Sequence, residues 1–206
     1  MLISGIRNGE SIMKKYILVV GIIGAIACTL VGCGKKGEAK VQPVEVQTDG
    51  TVAIGFDYTK RSGYSSNQYA IWIEDEEGDL VKTVCATQFT AQGGYEQRAE
   101  SIPIWVKKSG ISTYDQEQMD AITTATPNTG KVIYLWDLRN EKGEQVSPGV
   151  YTFFVEATIY KESRVLYTGE IDISGGECKV EAIPEFTTNE AAESDLIVDV
   201  YANYLP

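Results

Sequence analysis

Residues 150–160 alternate without a break: Tyr151, Phe153, Val155, Ala157 and Ile159 fall on one side, and Thr152, Phe154, Glu156, Thr158 and Tyr160 on the other. An extended strand puts every second side chain on one face, so this run predicts a β-strand with a purely apolar inner face. Its mixed outer face carries one carboxylate, Glu156, expected to be solvated or paired with an arginine. The same period recurs at 51–58, 68–74, 80–85, 102–106, 132–137, 164–173, 178–183 and 196–201, each rich in Val, Ile, Tyr, Phe, Trp or Thr and bounded by turn residues. The pattern predicts an all-β chain, a Greek-key β-sandwich of about eight or nine strands. One short helix is expected near 114–122, with Ser112 or Thr113 as N-cap and Asp115 and Glu117 in its first turn.

Turn chemistry punctuates these strands. Asp75-Glu76-Glu77-Gly78-Asp79 and Asn140-Glu141-Lys142-Gly143-Glu144 each place a glycine where a tight hairpin needs positive φ. Neither acidic loop has the ligand spacing of a helix-loop-helix calcium site. Trp72, Trp105 and Trp136 are expected in the core.

The N-terminal region has a different composition. Met13-Lys14-Lys15 precedes an uncharged run, 16–32, rich in Ile, Val, Leu and Gly, which has the charged and apolar regions of an export signal. A membrane span is the competing reading, but a plain stop-transfer helix has no need of the small residue and cysteine that close this run. Leu30-Val31-Gly32-Cys33 resembles the lipobox of bacterial lipoproteins. That resemblance implies a diacyl or triacyl lipid on Cys33 and a chain anchored at the extracytoplasmic face of the cell membrane. The expected organisation is a signal peptide over 1–32 with Met13 as its true start, a tether over 33–43 and one sandwich domain over 44–206.

Charge and composition narrow the function classes. The formal net charge is −11, and loss of residues 1–32 removes Arg7, Lys14 and Lys15 against Glu10 alone, leaving the remainder more acidic still. Such a surface argues against nucleic acid and against electrostatic binding to anionic lipid heads. The chain has no histidine, so the Ser-His-Asp and Cys-His arrangements and the commonest transition-metal ligand are missing. A metal site is therefore not expected. Cys28 leaves with the signal and Cys33 takes the lipid, so Cys85 and Cys178 remain, either as a disulfide or as two buried thiols.

Trp136-Asp137, Gly143, Gly149 and Tyr151 resemble the Trp-Asp-Gly…Gly…Gly-x-Tyr pattern of Ig-like domains related to the flagellar hook-capping protein, with Leu138 in place of the first glycine. The resemblance implies an Ig-like hairpin module whose aromatic pair packs the sandwich. A wider set includes Tyr69-Ala70-Ile71-Trp72-Ile73-Glu74-Asp75, Trp105, Asp120-Ala121-Ile122-Thr123-Thr124-Ala125-Thr126-Pro127, Trp136-Asp137 and Val155-Glu156-Ala157. Together these are similar to an uncharacterised family of predicted periplasmic proteins, a domain of unknown function (DUF2271-like). This likeness implies a fold and a compartment but no reaction.

Within that set, Asp120-x-x-Thr123-x-Ala125-Thr126 is similar to the Asp-x-x-(Ser/Thr)-Gly-Ala-Thr sequence on which a flavin transferase esterifies FMN to the last threonine; here Thr124 replaces the glycine. That likeness implies FMN on Thr126. The plainer reading is a Thr/Pro-rich loop between sheets, capped by Asp120 and Thr123. Three functions are therefore in view. The first is a non-catalytic binding or scaffolding module for an unknown envelope protein or ligand. The second is an electron carrier bearing FMN at Thr126. The third is a carboxylate-based hydrolase using residues such as Glu74, Asp120 or Glu156.

Overall fold

The computed structural model describes residues 48–63 and 66–206, so Cys28, Cys33 and the signal and lipobox assignments lie outside the described residues. Strands β1 (Thr51–Tyr58), β2 (Gln68–Glu74) and β3 (Leu80–Thr87) come first, and β2 and β3 pair through the 75–79 turn with Gly78 at φ +80°. An irregular helical turn, Thr90–Gly94, then leads through α1 (Tyr95–Gln97), α2 (Pro103–Ser109), a 3-10 turn at Ile111–Thr113 and α3 (Gln116–Ile122). The remaining elements are β4 (Thr123–Thr124), β5 (Gly130–Trp136), β6 (Val150–Tyr160), β7 (Ser163–Asp172), β8 (Cys178–Glu181), β9 (Ile183–Phe186), α4 (Asn189–Ala192) and β10 (Ile197–Leu205).

These strands form two sheets, β5-β1-β10-β8 and β4-β3-β2-β6-β7-β9, in the sandwich arrangement that the alternation predicts. The apolar face of β6 packs inward with Ile54, Phe56, Tyr69, Ile71, Ile73 and Val200. Close approach inside this core needs Gly169, where a Cβ would come within 2.5 Å of the Phe153 ring.

A second apolar cluster lies on the other side of the six-stranded sheet. Ala70, Trp72 and Ala86 meet Ile102, Trp105, Ile111 and Ile122 of the 88–122 insertion, and Trp72 stacks on Phe154 at 4.9 Å. The insertion exists because β4 runs parallel to β3, with Ala86 opposite Thr123, and a parallel pair needs a long crossover.

Four expectations are corrected. Residues 102–106, read as a strand, begin α2: Pro103 fits the first helical turn, where its missing N–H costs nothing, and the Ile102 N–H is taken by Thr158 Oγ1 at 2.9 Å. The expected helix starts later, at Gln116, capped by Asp115 in a reciprocal bond with Gln118 rather than by Ser112 or Thr113. The 178–183 strand is two strands, because the chain changes sheets at Ala182, whose N–H bonds Val200 O at 2.9 Å.

The Trp136 to Tyr151 segment does not join paired strands, since β5 and β6 belong to different sheets. It closes on itself through an Arg139–Gln145 bridge, and its aromatic pair does pack as expected, Trp136 edge-on to Tyr151 at 5.2 Å. Leu138 adopts φ +56°, the left-handed conformation that glycine takes freely, and is held there by burial of its side chain.

Candidate functional site

The threonine-rich segment leaves the C-terminus of α3 and crosses between the sheets. Thr123 Oγ1 donates to Met119 O at 2.6 Å, closing the last turn of the helix, and Asp120 is exposed, accepting from Gln116 Nε2 at 2.8 Å. Thr124 pairs with Thr87, and Thr129 Oγ1 accepts from the Lys60 N–H at 3.0 Å. Ala125 is exposed. Thr126 is half-buried in an irregular stretch between β4 and β5, and its hydroxyl makes no hydrogen bond with the described residues.

Beside this segment lies a buried polar cluster. The Tyr69 and Tyr134 hydroxyls share a hydrogen bond of 2.5 Å, and Tyr134 also meets the Cys85 thiol and the Thr124 hydroxyl. Burial pushes the Cys85 thiol and both phenols far above their ordinary ranges, so all three are neutral at physiological pH. Cys85 is thus a poor nucleophile. Cys85 and Cys178 are both free thiols in the structure, Cys85 buried and Cys178 half-buried.

Of the carboxylates named as hydrolase candidates, Glu74 accepts from Trp72 Nε1 at 2.7 Å and from Lys108 Nζ at 3.1 Å. Glu156 is neither solvated nor arginine-paired by direct contact: it is fully buried beneath α2 and accepts the backbone N–H groups of Ile104 (3.2 Å) and Trp105 (2.8 Å). Burial raises its pKa to about 7, while those two N–H bonds and the charge of Arg164 pull the other way. Thr152 faces Glu74 and Ala70 faces Glu156, so the two carboxylates stand four residues apart along the ladder with the Trp72–Phe154 stack between. That is on the order of 13 Å, beyond the about 5–9.5 Å at which paired carboxylates cleave glycosides. Exposed Asp120 does not join them.

An open groove beside the β1–β10 pair was not foreseen. β1 and β10 slip register between Gly55 and Asp57, opposite Tyr201 and Val198, so that Asp199 and Val200 bulge, with Asp199 at φ +55°. Downstream of the bulge the Tyr201 ring lies over Gly55, where a Cβ would come within 2.5 Å of it. Lys179 Nζ sits 4.9 Å and Lys131 Nζ 5.6 Å from the ring centroid, and Lys131 pairs with Asp57 at 3.3 Å. With Tyr167, Glu181 and Pro184 these residues enclose about 500 Å³. An aromatic face flanked by two ammonium groups and three carboxylates can bind a polar partner through stacking and mixed hydrogen bonds. The signal available in the sequence was Gly55, a glycine inside a strand pattern, which marks close approach by another group.

Among the described residues no group of three His, Cys, Asp or Glu side chains is arranged to hold a metal ion, and no helix is long and apolar enough to cross a membrane. No curated protein and no solved structure matches the chain. A family match covers residues 49–187, from the start of β1 past the end of β9, and so takes in the insertion and the threonine-rich segment while stopping short of β10 and its share of the groove. This β-sandwich with its helical cover therefore belongs to the family described as predicted periplasmic protein (DUF2271), a domain of unknown function in an extracytoplasmic compartment.

Proposed function

We propose that the chain is a lipoprotein held at the extracytoplasmic face of the membrane through Cys33, acting there as a non-catalytic binding module for another envelope component. The observation that carries this reading is the groove around Tyr201. It is open and mixed in charge, whereas the buried carboxylates Glu74 and Glu156 are engaged in holding the Trp72 indole and α2. A photo-crosslinking residue placed at Lys179 should give a discrete adduct in cells, and one at exposed Glu144 should not; equal labelling from both positions, or none from Lys179, would sink the groove as the docking face. Cys33→Ser should release the protein from membranes, and continued retention would count against lipid anchoring.

A second reading has its own observation. Of the threonines in 123–129, Thr126 alone has a hydroxyl with no hydrogen bond to the described residues, which suits it to accept the FMN phosphate as an ester. The chain would then carry electrons through the bound flavin, whose isoalloxazine supplies the redox chemistry. Coexpressed with a flavin transferase, the protein should be yellow and heavier by one FMN under denaturing conditions, and Thr126→Ala should be colourless. An unmodified wild-type chain would remove this reading.

A further inference from the structure

Among the described residues the two sheets end in four edge strands, and three of these edges are blunted. β4 has two residues, β8 has four, and β9 has four with Pro184 among them, which offers no N–H to a neighbour. β5 is different. It runs seven residues without a proline or a bulge, in unbroken register with β1 from Gly130 to Trp136, and no described strand pairs with its other side. A long, regular edge left open is a template for another strand.

The direction of its free backbone groups follows from β1. The Thr59 N–H donates to Leu196 O beside β10 at 2.9 Å, and the Lys60 N–H donates to Thr129 Oγ1 on the β5 side at 3.0 Å. N–H groups along a strand alternate in direction, so the even-numbered residues of β1 bond the even-numbered residues of β5 that stand opposite them. Lys131, Ile133 and Leu135 therefore turn their N–H and C=O groups to the open edge, and none of these groups is hydrogen-bonded to another described residue. Val132, Tyr134 and Trp136 point into the core, which puts the odd-numbered side chains on the outer face, Ile133 and Leu135 half-buried and Lys131 exposed.

We propose that β5 pairs edge to edge with β5 of a second copy of this chain, antiparallel about a two-fold axis at Ile133. That register sets Ile133 opposite its own copy and Lys131 opposite Leu135, so every outward residue meets an outward residue and each such pair closes two hydrogen bonds. The edge calls for no partner of opposite charge: β5 has no acidic residue, and Lys131 is already paired with Asp57 at 3.3 Å. In the pair the aliphatic stem of each Lys131 lies along Leu135. The two Lys131 residues stand four positions apart, on the order of 13 Å, beyond the ~8 Å over which charges act at physiological salt. The axis is perpendicular to the joined sheet, so both Tyr201 grooves face the same way, and the pairing does not depend on what those grooves bind.

The test uses the full chain in detergent, with protein mass read by light scattering from micromolar to millimolar concentration. The wild type should pass from one chain to two, and added salt should favour the pair by screening the net charge of −11 that opposes it. Ile133→Lys sets two ammonium groups face to face, and Ile133→Pro removes the central N–H donors without touching the bonds to β1. Both should keep the wild-type circular dichroism and stay single chains. In a Cys178→Ser background, Ile133→Cys should form a disulfide-linked pair, since Cα atoms so placed are about 5.5 Å apart, and Lys179→Cys on the opposite edge should not. This linkage decides the matter even where a Lys or Pro variant fails to fold. A wild type that stays one chain at every concentration would overturn the proposal, as would pairing undiminished in both Ile133 variants, equal linkage from Lys179→Cys, or a pair that salt dissolves. A discrete adduct of Ile133→Cys with a different protein in cells would give the edge to another occupant and overturn it too.

Discussion

The two faces of the six-stranded sheet are held by different physics. Toward the four-stranded sheet, contact is made by Phe153, Val155, Ile71, Ile73 and their apolar neighbours, a non-directional core in which close packing decides the outcome. Toward the insertion, the buried residues include Glu74, Thr83, Thr87 and Thr158 as well as Glu156, and each has a named partner. The inner face joins two sheets that already have their own ladders. The outer face must seat short helices that could not hold themselves together, and directional bonds give each one a fixed place.

The largest way to test this contrast is Phe153→Ala. Removing a fully buried ring seated on Gly169 should cost about 3–5 kcal/mol, read as a lower denaturant midpoint with fluorescence and circular dichroism moving together. A loss confined to one probe would mean that the inner core is not the cooperative unit.

The outer face should show itself through pH. Glu156 titrates at about 7 in the folded protein, above its ordinary value of 4.5, so the native state holds this proton more tightly than the unfolded chain does. Its contribution is then fully present below the ordinary pKa and is lost as pH rises through about 7, a decline of at most roughly 3.5 kcal/mol at about 1.4 kcal/mol per unit. Glu156→Gln should flatten the stability curve over that window. Parallel curves for wild type and variant would place the proton elsewhere.

The smallest effect belongs to Asp115→Ala, which removes the cap of α3 and should cost about 1 kcal/mol. Amide exchange should quicken over residues 116–122 while the strands keep their protection. A fall in the global midpoint of the full size would show insertion and sandwich to be one unit and so erase the contrast.

The inner face was legible in the sequence because alternation is local: every residue on the side of β6 that reads as apolar, from Tyr151 to Ile159, is buried. The outer face was less so, because its meaning is held at a distance. Ile102, Ile104 and Val106 have the composition of a strand, and only Thr158 and Glu156, more than fifty residues away, make them the start of a helix. Glu156 was misread for the same reason, since its partners are backbone N–H groups, to which composition is blind. The 178–183 run hid its change of sheet because Cys178, Val180 and Ala182 alternate with Lys179 and Glu181 right up to the crossing point. At Leu138 a sequence rule was broken without changing the path of the chain: burial held a leucine where a glycine was expected. The groove rests on a register slip between β1 and β10, strands far apart in sequence, and left only Gly55 as its trace.

The order β5-β1-β10-β8 also has a mechanical consequence. The strand that follows the N-terminal region is an interior one, bonded to β5 on one side and β10 on the other, with Thr51 opposite Leu205. Under the proposed anchoring through Cys33, a pull arriving at Thr51 would run along β1 and would have to shear two ladders at once, whereas an edge strand would peel away bond by bond. The same pairing puts Leu205 beside Thr51, so under that proposal a bulky fusion following β10 would crowd the end that takes the load.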